Sequence, residues 1–358
     1  MSLTHPANRD LRPFWQRALL NYWYNNKPLL LPLRALLHLL ELITRVWLKR
    51  QPAIEKKHSA ALPPVVIVGN FIVGGAGKTP VVRHLVDKLK ARGFKPGVIS
   101  RGYGRKEKDI GIYTPGEANN QALASRIGDE PAWLAQALEC PIAVGADRNA
   151  TLAALYAANP QLDVVVSDDG LQHQPLARMF EIVVCDERGF GNGFLLPAGP
   201  LREPLTASHR IDAFVLTAGE WDRRLLSEVS VRKPLYKAVM RFKDWRNVAT
   251  DQTISAETAA GVWQGQTVVA VAGLANPSKF FRVIDAQNIQ YKPLIVPDHY
   301  QYPPNFLDTL DAPVILTTGK DAVKWKNDNR VWIADIEFDI PDELINALEE
   351  KLRGPKNA

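Results

Sequence analysis

The stretch "GNFIVGGAGKTP", residues 69–80, constrains this chain more than any other. It almost spells the phosphate-binding pattern G-x-x-x-x-G-K-[ST]. Gly77, Lys78 and Thr79 fit its end, but Ile72 stands where the opening glycine belongs. The flanks supply the context. Residues 65–68 are a short apolar run introduced by two prolines, which reads as a buried strand. Val81, Val82, Leu85, Val86 and Leu89 then recur at the spacing of one helix face, ending near Gly93. In a strand, glycine-rich turn and helix, backbone N–H groups and the helix N-terminus surround a phosphate. Ile72, Val73, Gly74, Gly75, Ala76, Gly77, Lys78 and Thr79 are therefore the candidate nucleotide-binding loop. Lys78 would reach the β- and γ-phosphates, and the Thr79 hydroxyl would ligate Mg²⁺. Gly74 and Gly75 can supply the backbone freedom that Ile72 cannot.

Further apolar runs end in polar residues. "PGVISRGYGR" closes on Arg101 and Arg105, and "LDVVVSDDGLQH" places Asp168 and Asp169 directly after a buried run. Two carboxylates there, downstream of a phosphate loop, suit Mg²⁺, because adjacent aspartates repel unless a cation lies between them. "FEIVVCDER" and "DAFVLTAGE" read as two more strands. Strands alternating with helical stretches predict an α/β fold with a mostly parallel sheet, P-loop NTPase-like, whose ligands bind at the strand carboxyl ends. At 358 residues the chain suits two α/β domains and an appendage. The expected division is 1–60, an N-terminal membrane-interface region; 61–236, the nucleotide-binding domain; and 237–358, a smaller domain closing the cleft. Cys140 and Cys185 sit in apolar surroundings without metal-ligand spacing and read as buried thiols.

The net charge of +6 is local. Ten of the 44 Lys and Arg but three of the 38 Asp and Glu lie in residues 1–60, so the remainder is nearly neutral. That argues against a broad nucleic-acid surface and for an anionic partner near the N-terminus. Residues 28–50 are rich in Leu, and Arg34, His38, Glu41 and Arg45 fall within an arc of about 60° at helical spacing. A spanning helix would bury those charges in hydrocarbon. The sequence instead predicts an amphipathic helix in the membrane interface, its polar stripe facing water. Arg45, Lys49, Arg50, Lys56 and Lys57 would face anionic headgroups.

The blocks "VGNFIVGGAGKTP", "SRGYGR", "GDEP", "GADR", "SDDGLQH", "LLPAGPLREP", "VAGLANPSKFF", "PDHY" and "KDAVK" occur in this order between about residues 65 and 324. In this ordered set the chain resembles the tetraacyldisaccharide 4'-kinases, the lipid A 4'-kinases of Gram-negative bacteria. The resemblance implies transfer of the ATP γ-phosphate to the 4'-hydroxyl of a lipid disaccharide 1-phosphate. The product is lipid IVA, on the lipopolysaccharide route. It also implies a peripheral protein on the cytoplasmic face of the inner membrane, with two α/β/α domains around a cleft. By the same resemblance Asp129 is the catalytic carboxylate and His299 its partner, since a sugar hydroxyl needs a base as it attacks. Arg101, Arg148, His173 and Arg202 are candidate substrate-binding residues. Gly319 stands where the family often has glutamate. The alternative is a membrane-anchored P-loop ATPase acting on a protein client, which leaves "GDEP" and "PDHY" unexplained.

Overall fold

A computed structural model of the chain describes residues 9–25, 27–51, 61–102, 105, 108–115, 123, 126–173, 175–219, 233–325 and 328–354. The run at 65–68 becomes the strand Val65–Gly69, buried along its whole length. A strand covered on both faces takes continuous Val and Ile, because neither face meets water. Pro96–Ser100, Val164–Asp168 and Phe180–Cys185 are buried in the same way. These four join an eight-stranded sheet. Its order is Gly111–Tyr113, Ile142–Val144, Pro96–Ser100, Val164–Asp168, Val65–Gly69, Phe180–Cys185, Ala213–Leu216 and Leu235–Lys237. All neighbours pair parallel except the antiparallel edge strand Gly111–Tyr113. The register sets Val68 beside Asp168, so the glycine-rich loop and the aspartate pair leave the same edge of the sheet.

The helix Lys78–Ala91 covers one face of this sheet with Val81, Val82, Leu85, Val86 and Leu89, all without exposure. Each such burial stabilises by about 1.5–3 kcal/mol. The C-terminal helix Asp342–Arg353 returns to the same core through Leu344, Ile345 and Leu348.

The second sheet has seven strands, ordered Arg9–Asp10, Lys292–Ile295, Val268–Ala272, Val314–Thr317, Val331–Asp339, Val239–Asn247 and Thr253–Ser255. The first five pair parallel and the last two are antiparallel. Its longest strands reach back to the first sheet. Arg83 of the helix Lys78–Ala91 bonds Asp335 at 3.0 Å and Glu337 at 3.2 Å. The whole is a mixed α/β fold with parallel sheets.

The helices Phe14–Tyr24 and Leu31–Lys49 precede the first sheet. The second carries the polar stripe, but not as expected. His38 Nε2 lies 3.0 Å from the Tyr22 hydroxyl, and its ring meets Phe194 edge-on. Glu41 is buried and accepts a 2.6 Å bond from Arg45. So His38 and Glu41 face the protein rather than water, because the body supplies partners that a buried polar group requires. The outward face is apolar: Leu33, Leu36, Leu39, Leu42, Ile43, Val46 and Trp47 are all exposed. Among the described residues no helix is long and apolar enough to cross a membrane. Lys56 and Lys57 lie outside the described residues.

Candidate active site

The departure at Ile72 has a local cause. The chain leaving Val65–Gly69 stays extended, and Ile72 forms an isolated bridge with Leu201. Phe71 accepts from the Arg202 N–H at 2.7 Å, and the Val73 N–H donates to Pro200 at 2.9 Å. Ile72 is thus a buried residue pairing with a neighbouring segment, a position that needs a β-former rather than glycine. The turn comes later. Gly77 has φ +93° and its Cβ would lie 3.3 Å from the Thr217 hydroxyl, so only glycine suits it. It precedes the helix without a side-chain cap, which leaves first-turn N–H groups for an anion.

Lys78 is buried, with its ammonium 3.1 Å from Asn70 Oδ1 and 3.2 Å from Asp169. Asn70 in turn donates to the Gly74 carbonyl at 2.9 Å, bracing the loop. Asp169 also accepts from Arg202 at 2.8 and 3.0 Å. Burial works against its ionisation, but Lys78 and Arg202 prevail and hold its carboxyl well below the usual range. Asp168 is the opposite case. It has no exposure, and neither carboxylate oxygen has a hydrogen-bond partner. Burial, reinforced by the charges of Glu130 and Asp169, pushes it up to about 7 although Lys78 and Arg148 oppose this.

Across the cleft lies a cluster that sequence reasoning assigned only in part. Lys320 donates to Asp298 at 2.8 Å and to Glu130 at 3.0 Å, and sits 3.3 Å from His299 Nε2. Burial would lower the Lys320 ammonium, but Glu130 and Asp298 hold it above its ordinary value. His299 has φ +58° and Asp169 φ +52°, a conformation that non-glycine residues keep where the surroundings enforce it. Asp129 is the first residue of the helix Asp129–Ala137, directly before Glu130. Its side chain lies outside the described residues. A cavity of about 180 Å³ runs between the loop and this cluster. Lys78, Thr79, Glu130, Asp298 and Lys320 form its polar side, and Trp133, Met240, Ile336 and Phe338 its apolar wall.

The other four candidates divide. Arg202 is engaged by Asp169 and Gln172. Arg148 is buried and donates to the Gly145 carbonyl, but its Nε has no partner, and neither has His173 Nε2. Arg101 is exposed at the end of Pro96–Ser100.

The chain matches known proteins along most of its length. The family model for tetraacyldisaccharide-1-P 4'-kinase matches residues 26–353. A tetraacyldisaccharide 4'-kinase of Janthinobacterium sp. (strain Marseille) is 43% identical over 303 residues, 83% of this chain and 84% of that protein. One from Herminiimonas arsenicoxydans is 38% identical over 353 residues, 95% and 94% of the two chains. The chain belongs to the tetraacyldisaccharide-1-P 4'-kinase family. Among solved structures, that of LpxK from Aquifex aeolicus in complex with ATP matches with a TM-score of 0.66 and 26% identity, covering 95% of this chain and 99% of that one.

A member of the 4'-kinase family transfers phosphate to a lipid disaccharide hydroxyl, and an ATPase with a protein client is not favoured. The glycine at position 319 of this 4'-kinase has a physical account. A Cβ at Gly319 would lie 1.9 Å from Trp133 Nε1, so the indole occupies the space a side chain would need. Gly319 and the tryptophan on the facing helix are one packing solution. Glu130, Asp298 and Lys320 all lay in quoted blocks, yet only their neighbours Asp129 and His299 had been assigned. The usable signal was three charged residues in three separate motifs, which pair only across the cleft.

Proposed function

We propose that this chain binds ATP with residues 72–79 and passes its γ-phosphoryl group to the 4'-hydroxyl of a tetraacyldisaccharide 1-phosphate, giving lipid IVA. The hydroxyl oxygen bonds to the γ-phosphorus as the β–γ bridge breaks, and ADP leaves. Asp129, oriented by His299, takes the hydroxyl proton. The observation that carries this reading is the position of Lys78. Its ammonium lies at Asn70 and Asp169 and lines the cleft that also holds Glu130, Asp298 and Lys320. Residues 61–236 and, the C-terminal helix Asp342–Arg353 excepted, residues 237–358 form the two units whose approach closes that cleft. The unpartnered Arg148 Nε and His173 Nε2, with Arg101, suit an anionic group of the acceptor. ADP formation should depend on added disaccharide lipid. Equal turnover without it would remove the acceptor from the account.

Mg²⁺ fits the residues present. Asp168 offers two buried, unpartnered carboxylate oxygens, and the Thr79 hydroxyl lines the same cleft as Lys78. Asp169 is already engaged by two cations, so Asp168 is the direct ligand of the pair. When bound, the cation would neutralise charge on the β- and γ-phosphates. A stability effect follows. A carboxyl raised to about 7 destabilises the folded metal-free protein as pH climbs from its unfolded value of 3.8, fully so above 7. Asp168→Asn should therefore raise the metal-free melting temperature by about a few degrees at pH 8. The gain should vanish below its unfolded value, and the variant should lose the Mg²⁺-induced rise seen in the parent. Calorimetry with and without Mg²⁺ checks this. An unchanged Mg²⁺ response would remove Asp168 as a ligand.

The exposed apolar face of Leu31–Lys49 supports a peripheral, monotopic place on the anionic cytoplasmic surface of the inner membrane, with His38 and Glu41 turned to the body and Arg34 and Arg45 left exposed. A cavity of about 260 Å³ lies between Trp15, Leu19, Leu20 and Trp23 of the helix Phe14–Tyr24 and the loop at Gly74, and suits an acyl stem near the phosphate. Replacing Leu36, Ile43 and Trp47 together by Glu changes only outward side chains. The triple variant should move from the membrane to the soluble fraction and lose activity on bilayer lipid more than on a detergent-dispersed, short-chain acceptor. Retention on vesicles would place the anchor elsewhere.

A further inference from the structure

The block "GLANPSKFF", residues 273–281, lines the cleft through Leu274, Ala275, Asn276 and Lys279, and its polar residues have no part in the roles above. It links the strand Val268–Ala272 of the second sheet to the helix Ser278–Asp285. Phe280 and Ile284 anchor that helix in the second sheet's core. Its polar residues meet the first sheet. Lys279 Nζ lies 3.1 Å from Asp186 Oδ2 and donates to Thr217 Oγ1 at 3.0 Å and to the Ala76 carbonyl at 3.4 Å. The Asp186 side chain is fully buried and that of Lys279 nearly so. The Thr217 hydroxyl donates to the same Ala76 carbonyl at 2.7 Å. Arg188, which also pairs with Asp186 at 2.9 Å, donates to the Gly75 carbonyl at 2.6 Å. Asn276 and Arg282 flank the contact, both bonding Glu187, at 2.9 and 2.8 Å.

Two consecutive carbonyls of the phosphate loop are therefore held from one side. In a trans peptide the C=O of one residue and the N–H of the next point in opposite directions. Fixing the carbonyls of Gly75 and Ala76 thus aims the N–H groups of Ala76 and Gly77 the other way, as an anion cradle requires. Lys279 belongs to the second sheet and Ala76 to the first, so this hold exists only where the two meet.

We propose that Lys279 is a positioning residue for ATP: seated on Asp186 and Thr217, it fixes the Ala76 carbonyl and thereby the N–H groups that receive the phosphates. The proposal rests on residues 72–79 being the ATP site. It gives the second sheet a direct part in ATP affinity and accounts for a lysine that lines the same cavity as the Lys320 cluster while bonding Asp186, Thr217 and the loop.

The test uses the full chain with Lys279→Met, Lys279→Arg and, as a control on the loop itself, Lys78→Ala. Initial rates are measured against ATP and against acceptor separately, with melting temperatures for each variant. Loss of a charge-assisted hydrogen bond should raise the KM for ATP about tenfold in Lys279→Met. The KM for acceptor should stay within about twofold, since Lys279 bonds Asp186, Thr217 and Ala76 rather than the Lys320 cluster. Lys279→Arg should recover most of the ATP affinity. A folded Lys279→Met protein with an unchanged KM for ATP, or with both KM values raised alike, overturns the proposal. Should Lys279→Met not fold, Thr217→Val removes the hydroxyl shared by Lys279 and Ala76. A raised KM for ATP then supports the proposal and an unchanged one overturns it. A normal rate in Lys78→Ala would bring down the loop reading and this proposal together. Loss in Lys78→Ala with no change in Lys279→Met brings down this proposal alone.

Discussion

Lys78→Ala lowers phosphoryl transfer about a thousandfold, the scale expected when one preorganised donor is removed from developing charge in a dry site. The fold should survive, because Asp169 keeps Arg202 at 2.8 Å and is not left as an orphaned buried charge. Asn70 loses one partner but keeps its bond to the Gly74 carbonyl. Steady-state kinetics beside a melting curve separate the two effects. A folded variant with near-normal turnover would show that this lysine does not meet the phosphates.

Asp129→Ala should lower kcat by about a thousandfold, within the range of general-base catalysis, with little change in the KM for ATP. A base acts on the chemical step, whereas the proposed grip on ATP is the loop's. His299→Ala should act on the same step, since His299 is seated at the Lys320 cluster beside the helix that Asp129 opens. If the two act as one unit, the double variant is little worse than the worse single one. Multiplicative losses in the double variant would show separate roles.

The strand and helix around the glycine-rich loop were legible because their signals are local. Residues 65–68 read as a strand and Val81–Leu89 spacing as a helix, and both elements formed with their apolar residues buried. The aspartate pair was legible for the same reason, but the division of labour within it was not. Asp168 and Asp169 are adjacent in sequence, yet only the fold brings Lys78 and Arg202 to one and leaves the other without a partner. The contacts of Lys279 with Asp186 and of Lys320 with Glu130 join residues far apart in the chain, and no spacing rule reaches that distance. Periodicity found the polar stripe on Leu31–Lys49, of which Arg34 and Arg45 are exposed as expected while His38 and Glu41 face the body. A helix wheel separates two faces without saying which one meets the body, and here Tyr22 and Phe194 decide it by engaging His38. The C-terminal helix belongs to the first core although it follows the second sheet, another fact of packing that sequence order conceals.

The central claim is that the loop around Lys78 delivers the γ-phosphoryl group to a hydroxyl of the lipid disaccharide. Incubation with γ-labelled ATP and tetraacyldisaccharide 1-phosphate, followed by separation of the lipid and location of the label, tests it most directly. The account predicts label on the lipid as a new 4'-phosphate monoester, formed with ADP, and absent with Lys78→Ala. Label released as inorganic phosphate with the lipid unmodified, or transferred equally by Lys78→Ala, would contradict it.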